Sequence, residues 1–267
     1  MKRALGEIET RFFAYAQMRR LRTVRTGDLV GPLALTPIQE RELFRRLSRG
    51  RLIARVRRGF YLVPPRLPLG GAWTPDEILA LQTLMDDRRG TYQICGPNAF
   101  NRSGFDEQIP VRVYAYNNRI SGDRTIGSIY LTLIKVADER LGATDTVATA
   151  DGLTAVYSSR VRTLVDAVYD WARFNSLPRA FRWIRRELAA ERVSAADLVT
   201  TTLRYGDKGT IRRIGVLLER ERVDPRLLRR LERSLPTTSS SMIPWIPTKP
   251  KRGTRASRWG VVVNEAA

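Results

Sequence analysis

The sequence predicts an α+β chain in two parts: a small helical N-terminal domain closed by a basic hairpin, and a larger mixed α/β domain. Three observations carry this. Apolar residues recur at helical spacing up to Gly50, then alternate between Leu52 and Val63. A Pro- and Gly-rich stretch, "PPRLPLGGAW" (Pro64–Trp73), punctuates the chain next. Beyond it, short strand-like runs precede a long series of helical patterns that begins at Ser159. The expected domains are 1–65 and 66–267, with 66–73 as linker.

Leu5, Ile8, Phe12, Ala16 and Leu21 follow a helical period, so residues about 4–22 read as an amphipathic helix. Thr26 is a fair N-cap for a short second helix through Asp28, Leu29 and Val30, ended by Gly31-Pro32. In "TPIQERELFRRLSRG", Thr36 is an N-cap candidate, Pro37 sits at the first helical position, and Gln39 falls where a capping box needs it. Gly50 is positioned to end that third helix in a left-handed conformation. "RLIARVRRGFYLVPP" (Arg51–Pro65) then reads as two strands, Leu52–Val56 and Phe60–Val63, with Gly59 supplying the positive φ of a tight turn.

The third helix separates its faces cleanly. Leu43, Phe44 and Leu47 cluster on the side that must pack. The opposite side carries Ile38, Arg41, Glu42, Arg45 and Arg49, with Gln39 and Arg46 on a flank. On an isolated helix such a face is ordinarily just solvated. Here two helices, a third with a basic outer face and then a strand pair follow in the order of a winged helix-turn-helix. That arrangement predicts nucleic-acid contact. Gln39 suits adenine, Arg41 or Arg45 guanine, and Ile38 a thymine methyl. Arg46 and Arg49 are expected at phosphates, and Arg57 and Arg58 at the wing tip. The expected DNA-binding set is Thr36, Ile38, Gln39, Arg41, Arg45, Arg46 and Arg49 with Arg55, Arg57 and Arg58.

Charge points the same way. The 267 residues hold 47 Lys+Arg against 27 Asp+Glu, a formal net charge of +20. Residues 1–65 alone hold 15 Lys+Arg against 5 Asp+Glu, so one quarter of the chain carries half the excess. Self-repulsion of that size favours a polyanionic partner. Most of the cations are arginine, whose planar fork suits phosphate and guanine edges. An acidic membrane surface would call for a basic amphipathic helix or a lipidation site, and neither is found. No apolar run approaches the roughly 18 residues that span a bilayer. The acids in "MKRALGEIETRFF" argue against a signal peptide, so a soluble, cytoplasmic protein is expected.

The chain has no histidine and one cysteine, Cys95. That removes Ser-His-Asp and Cys-His catalysis, a disulfide framework and most zinc sites. Asp166 and Asp170 lie one helical turn apart and are expected to pair with Arg162 and Arg173. "GDKGT" (Gly206–Thr210) lacks the spacing of a phosphate loop. The expectation is a non-enzyme that needs no cofactor and no metal.

In the larger domain, Thr74-Pro75 opens a helix to about Met85, and Tyr92–Cys95 reads as a strand. Gly96–Phe105 is a short helix or turn. Val111–Tyr116 and Ser128–Val136 alternate as strands joined by a turn near "NNRISGD", and Thr154–Tyr157 is a further short strand. Helices are expected over about 160–174, 178–191, 194–203, 208–221 and 225–234. The Pro- and Ser-rich tail ends in a strand-like "RWGVVVN", and its aromatics predict that it packs on the domain.

Three segments in order, "LSRGRLIARVRRGFYLVPP" (Leu47–Pro65), "YQICGPNAFNRSGFDEQIP" (Tyr92–Pro110) and "GTIRRIGVLLER" (Gly209–Arg220) with the closing "RWGVVVN", resemble AbiEi-family antitoxins. The resemblance implies a type IV toxin–antitoxin system linked to phage defence. It implies a winged helix that binds inverted repeats in its own promoter and represses the operon. It further implies a C-terminal domain that counteracts a nucleotidyltransferase-like toxin. The expected partners are therefore double-stranded DNA and that toxin, with no membrane. The alternatives are a stand-alone winged-helix regulator with a ligand-sensing or dimerising domain, and a metal-dependent nuclease using Asp166 and Asp170.

Overall fold

The computed structural model describes residues 5–67, 71–150, 152–236 and 241–264. The chain is mixed α/β, with ten α-helices among these residues. It divides into two compact units. The first comprises Met1–Tyr92, Val111–Val136 and Ala148–Ala155; the second comprises Gln93–Pro110, Ala137–Val147 and Val156–Ala267. Of the linker expected at 66–73, residues 68–70 lie outside the described residues, as do 237–240 of the tail.

In the first unit, α1 (Glu7–Met18) buries Phe12, Phe13 and Ala16. β1 (Thr23–Arg25) follows. The short helix expected at Thr26–Val30 is instead a run of turns. Gly27 sits at φ 102° and Pro32 offers no N–H, so helical bonding cannot propagate. The buried carboxylate of Glu40 fixes those turns, accepting from the N–H groups of Gly27 (2.7 Å) and Leu29 (2.9 Å). Helix α2 (Pro37–Arg49) turns Leu43, Phe44 and Leu47 into the core formed by α1 and these turns. Phe44 stacks on Tyr61 with centroids 4.7 Å apart.

The hairpin is β2 (Ala54–Arg57) with β3 (Phe60–Leu62), and β3 pairs antiparallel with both β1 and β2. Gly59 takes φ 73°, as the turn requires. The left-handed residue after α2 is Arg51 (φ 55°) and not Gly50 (φ −76°). The N–H of Leu52 bonds back to the carbonyl of Leu47 at 2.9 Å, which closes the helix one residue later than expected.

Also in this unit, α3 (Glu77–Asp87) starts where Asp76 accepts from the N–H of Ile78 and of Leu79. β5 (Arg112–Asn117) and β7 (Ile129–Lys135) are parallel, not a hairpin, because β6 (Gly122–Ile126) intervenes and pairs antiparallel with β7. The sequence reading missed β6: four of its five residues are exposed, so "GDRTI" shows no alternation of apolar residues. Gly127 begins the two-residue turn between β6 and β7 at φ 63°.

The second unit contains α4 (Gly96–Arg102) and most of β4 (Tyr92–Ile94), β8 (Thr144–Ala148) and β9 (Thr154–Ser158). β4 and β9 run parallel, with Ile94 opposite Tyr157. The exposed β8 was also missed. The helix expected over 160–174 is α5 (Arg160–Tyr169) and α6 (Trp171–Phe174), broken at Asp170 (φ −94°, ψ 31°). α7 (Arg179–Ala189), α8 (Ala195–Tyr205), α9 (Lys208–Arg220) and α10 (Pro225–Arg233) complete the bundle around α5.

The tail returns to this bundle. β10 (Ile243–Pro244) and β11 (Thr254–Ala256) flank β12 (Val261–Val263). Trp245 and Trp259 are fully buried; Trp245 stacks on Phe181 at 4.5 Å. No helix among the described residues is long and apolar enough to cross a membrane.

Candidate nucleic-acid interface

Helix α2 starts with a complete capping box. The N–H of Gln39 donates to the Thr36 hydroxyl (3.2 Å), and the N–H of Thr36 donates to the Gln39 side-chain oxygen (2.8 Å). This fixes the first turn and leaves Ile38 71% exposed beside it. It also occupies the oxygen that Gln39 would use in a bidentate contact with adenine. Its amide N–H groups stay available, so Gln39 can read a base fully only by giving up the cap.

Along the outer face, Arg41 donates to the carbonyl of Pro37 (3.1 Å). Arg45 forks onto Glu42, with Nε at 2.8 Å, and this hydrogen bond holds the Glu42 carboxyl below the usual carboxylate range. Arg46 lies 3.7 Å from Glu9, an ion pair too long for a hydrogen bond. Arg49 is exposed and makes no ion pair or hydrogen bond among the described residues. Of the ten expected contacts, then, Thr36 and Gln39 serve the cap and Arg45 serves Glu42.

On the hairpin, strand alternation sends Ala54 and Val56 inward and Arg55 and Arg57 outward. The register shifts between Arg55 and Arg57, a bulge that sharpens the twist of the tip. The N–H of Thr26 bonds to the carbonyl of Gly59 at 2.9 Å and ties the turn to the end of β1. Arg55 and Arg58 are exposed with no side-chain partner among the described residues.

Arg57 behaves differently. Its Nε and Nη2 donate to the two carboxylate oxygens of Asp87 at 2.7 and 2.9 Å. Arg25 joins the same carboxylate at 2.9 Å, and its guanidinium lies 4.0 Å from the centroid of Phe60. The Asp87 side chain is almost buried, and the hydrogen bond from Arg57, helped by Arg25, pulls its pKa down to about 2. The turn end of the hairpin is thus pinned to α3. Sequence reasoning missed Asp87 and Arg25, because the partners lie 30 and 62 positions apart along the chain with no periodic link.

The acidic pair Asp166 and Asp170 is committed as expected. Arg162 contacts Asp166 at 2.9 Å and Arg173 approaches Asp170 at 3.8 Å. Arg140 adds a second contact to Asp166 at 3.5 Å. Among the described residues no three Asp, Glu, His or Cys side chains gather as metal ligands would.

The fold is similar to that of the RV2827C protein from Mycobacterium tuberculosis, known from a crystal structure. The TM-score is 0.62 at 16% sequence identity, covering 97% of this chain and 92% of that one. Neither a protein-family model nor a curated protein matches the sequence.

Proposed function

We propose that the chain is a cytoplasmic DNA-binding autorepressor whose first unit reads operator DNA through a winged helix-turn-helix. We further propose that its second unit serves as the antitoxin part, counteracting a nucleotidyltransferase-like toxin. The observation that supports the DNA half best is the outer face of α2 and β2. Ile38, Arg41, Arg49 and Arg55 are all exposed there, on elements whose opposite sides are buried, and Arg58 is exposed in the turn that follows β2. A face that carries this much uncompensated charge beside a large exposed aliphatic residue suits a major groove and its phosphates. In this reading β1 pairs with the hairpin as the third strand of the wing sheet, and the turns after it stand where the second helix is expected. No cofactor is required.

Arg57 ranks below Arg55 and Arg58 as a contact, since reaching a phosphate would release Asp87. The antitoxin half rests on the resemblance of the three sequence segments. A band-shift titration on the upstream DNA of its own gene tests the first half. Affinity should fall with salt at a log–log slope of about −0.9 per phosphate contact. Salt-insensitive binding, or none, would sink it. Co-expression with the adjacent gene product tests the second; absence of a nucleotidyltransferase-like neighbour favours the stand-alone regulator.

A further inference from the structure

A recess of about 730 Å³ lies wholly within the first unit, beside the free edge of β2. Arg49, Arg51, Arg55 and Arg57 all line it, and among the described residues no carboxylate does. Three of these guanidiniums have no ion pair or hydrogen bond among the described residues; only Arg57 is compensated, by Asp87. Trp73 and Tyr130 supply aromatic surface to the same recess, and Tyr130 is 50% exposed. The Ser48 hydroxyl, also in the lining, is buried without a partner. Gly127 closes the recess tightly: a Cβ there would stand 3.0 Å from Pro75 and 3.2 Å from Ala54.

Three uncompensated arginines around one recess favour an anion among them, and arginine is the side chain best matched to phosphate oxygens. The recess is concave, and its volume falls in the range of small-ligand sites, roughly 300–1,000 Å³. Aromatic rings beside phosphate-binding cations are what a base with its phosphates requires.

The geometry points to a nucleoside di- or triphosphate as the ligand of this recess, with phosphates on Arg49, Arg51 and Arg55 and the base against Tyr130 and Trp73. With no carboxylate in the lining, the guanidiniums supply the counter-charge and a protein-held Mg²⁺ has no part. Arg49 and Arg55 also belong to the proposed DNA face. Nucleotide and operator therefore compete, and by linkage each weakens the other's binding. This competition rests on the DNA-binding reading; the nucleotide site does not.

Calorimetric titration of the full chain with ATP, GTP and CTP in EDTA, without DNA, tests the site directly. One nucleotide should bind per chain, with tripolyphosphate weaker and adenosine silent. Arg51→Glu lies outside the proposed DNA contacts. It should lower nucleotide affinity about tenfold or more and operator affinity far less, since no DNA contact is removed. Tyr130→Ala should weaken the nucleotide and leave tripolyphosphate unchanged. Unchanged melting curves for both variants exclude misfolding. No binding at millimolar nucleotide, no effect of Arg51→Glu, or equal affinity for nucleotide and tripolyphosphate overturns the site. Binding only of a short single-stranded oligothymidine overturns it also. A nucleotide that binds yet leaves operator affinity unchanged overturns the competition alone, and operator binding measured without nucleotide judges the DNA reading separately.

Discussion

In the second unit the guanidinium of Arg162 is wholly buried, 2.9 Å from Asp166, with a further hydrogen bond to the carbonyl of Arg140 and Tyr205 beneath it at 3.8 Å. In the first unit Arg55 is exposed and makes no ion pair among the described residues. The contrast extends to their neighbours. Glu187 is shared by Arg160 and Arg192, Arg258 bridges Glu219 and Glu232, and Arg212 holds the carbonyls of Trp259 and Ser241. Arg49, Arg51 and Arg58 hold nothing of the kind. These arginines of the second unit hold buried backbone and side chains together, so their charge is consumed within the fold. Arg49, Arg51, Arg55 and Arg58, on α2 and the hairpin and next to them, are left without an ion pair among the described residues, and that charge is what a polyanionic partner can use. A net charge of +20 therefore says less than where its compensation fails.

Removing Arg162 is the harshest way to test this. Arg162→Leu leaves Asp166 buried with only the longer Arg140 contact, and should cost about 3–5 kcal/mol in urea unfolding. Replacing both partners, Arg162→Leu with Asp166→Leu, should recover most of that loss, because a well-packed apolar pair carries no desolvation cost. If the single change is harmless, the buried arginine is not structural and the contrast fails.

Gly215→Ala comes next in size. A Cβ there would lie 2.3 Å from the Trp259 ring, and overpacking should cost about 1–3 kcal/mol by thermal or chemical unfolding. The change probes whether the tail, fastened by Arg212, is a true part of the second unit's core.

Asp87 gives an intermediate effect with a defined pH dependence. Its folded pKa of about 2 lies below the ordinary aspartate value, so its pairs stabilise the folded chain above the unfolded pKa. That stability is lost as pH falls from about 4 toward 2, and amounts to about 1–2 kcal/mol once screening at the half-exposed arginines is allowed for. Asp87→Asn should flatten the stability profile in this window. An unchanged profile would mean that the hairpin is not anchored there.

The smallest change in stability and the largest in binding should come together. Arg49→Ala with Arg55→Ala should leave the unfolding midpoint where it was. It should lower operator affinity at low salt and reduce the salt slope by about 0.9 for each contact removed. Loss of stability in this double variant would show that these arginines are structural after all.

Much of this was legible without coordinates because it is local. The Thr36 cap with Pro37 and Gln39, the stripe of Leu43, Phe44 and Leu47, and the Gly59 turn all depend on residues within a few positions of one another. The Arg162–Asp166 pair was readable for the same reason, being one helical turn apart. Strands β6 and β8 were not, since exposed edge strands carry no apolar alternation. The second-helix expectation at Thr26 failed where Gly27 and the distant Glu40 carboxylate impose turns instead.

By itself, then, the sequence determined most of the helical segments, where the charge accumulates and which faces must be buried, since periodicity and capping are properties of neighbouring residues. Only the tertiary structure decided which arginines are spent. It brought Asp87 to Arg57 and Arg25 and gathered Arg49, Arg51, Arg55, Trp73 and Tyr130 around one recess. Guanidinium pairing is decided at hydrogen-bond distance, and residues 30 or more positions apart reach it only when the chain has folded.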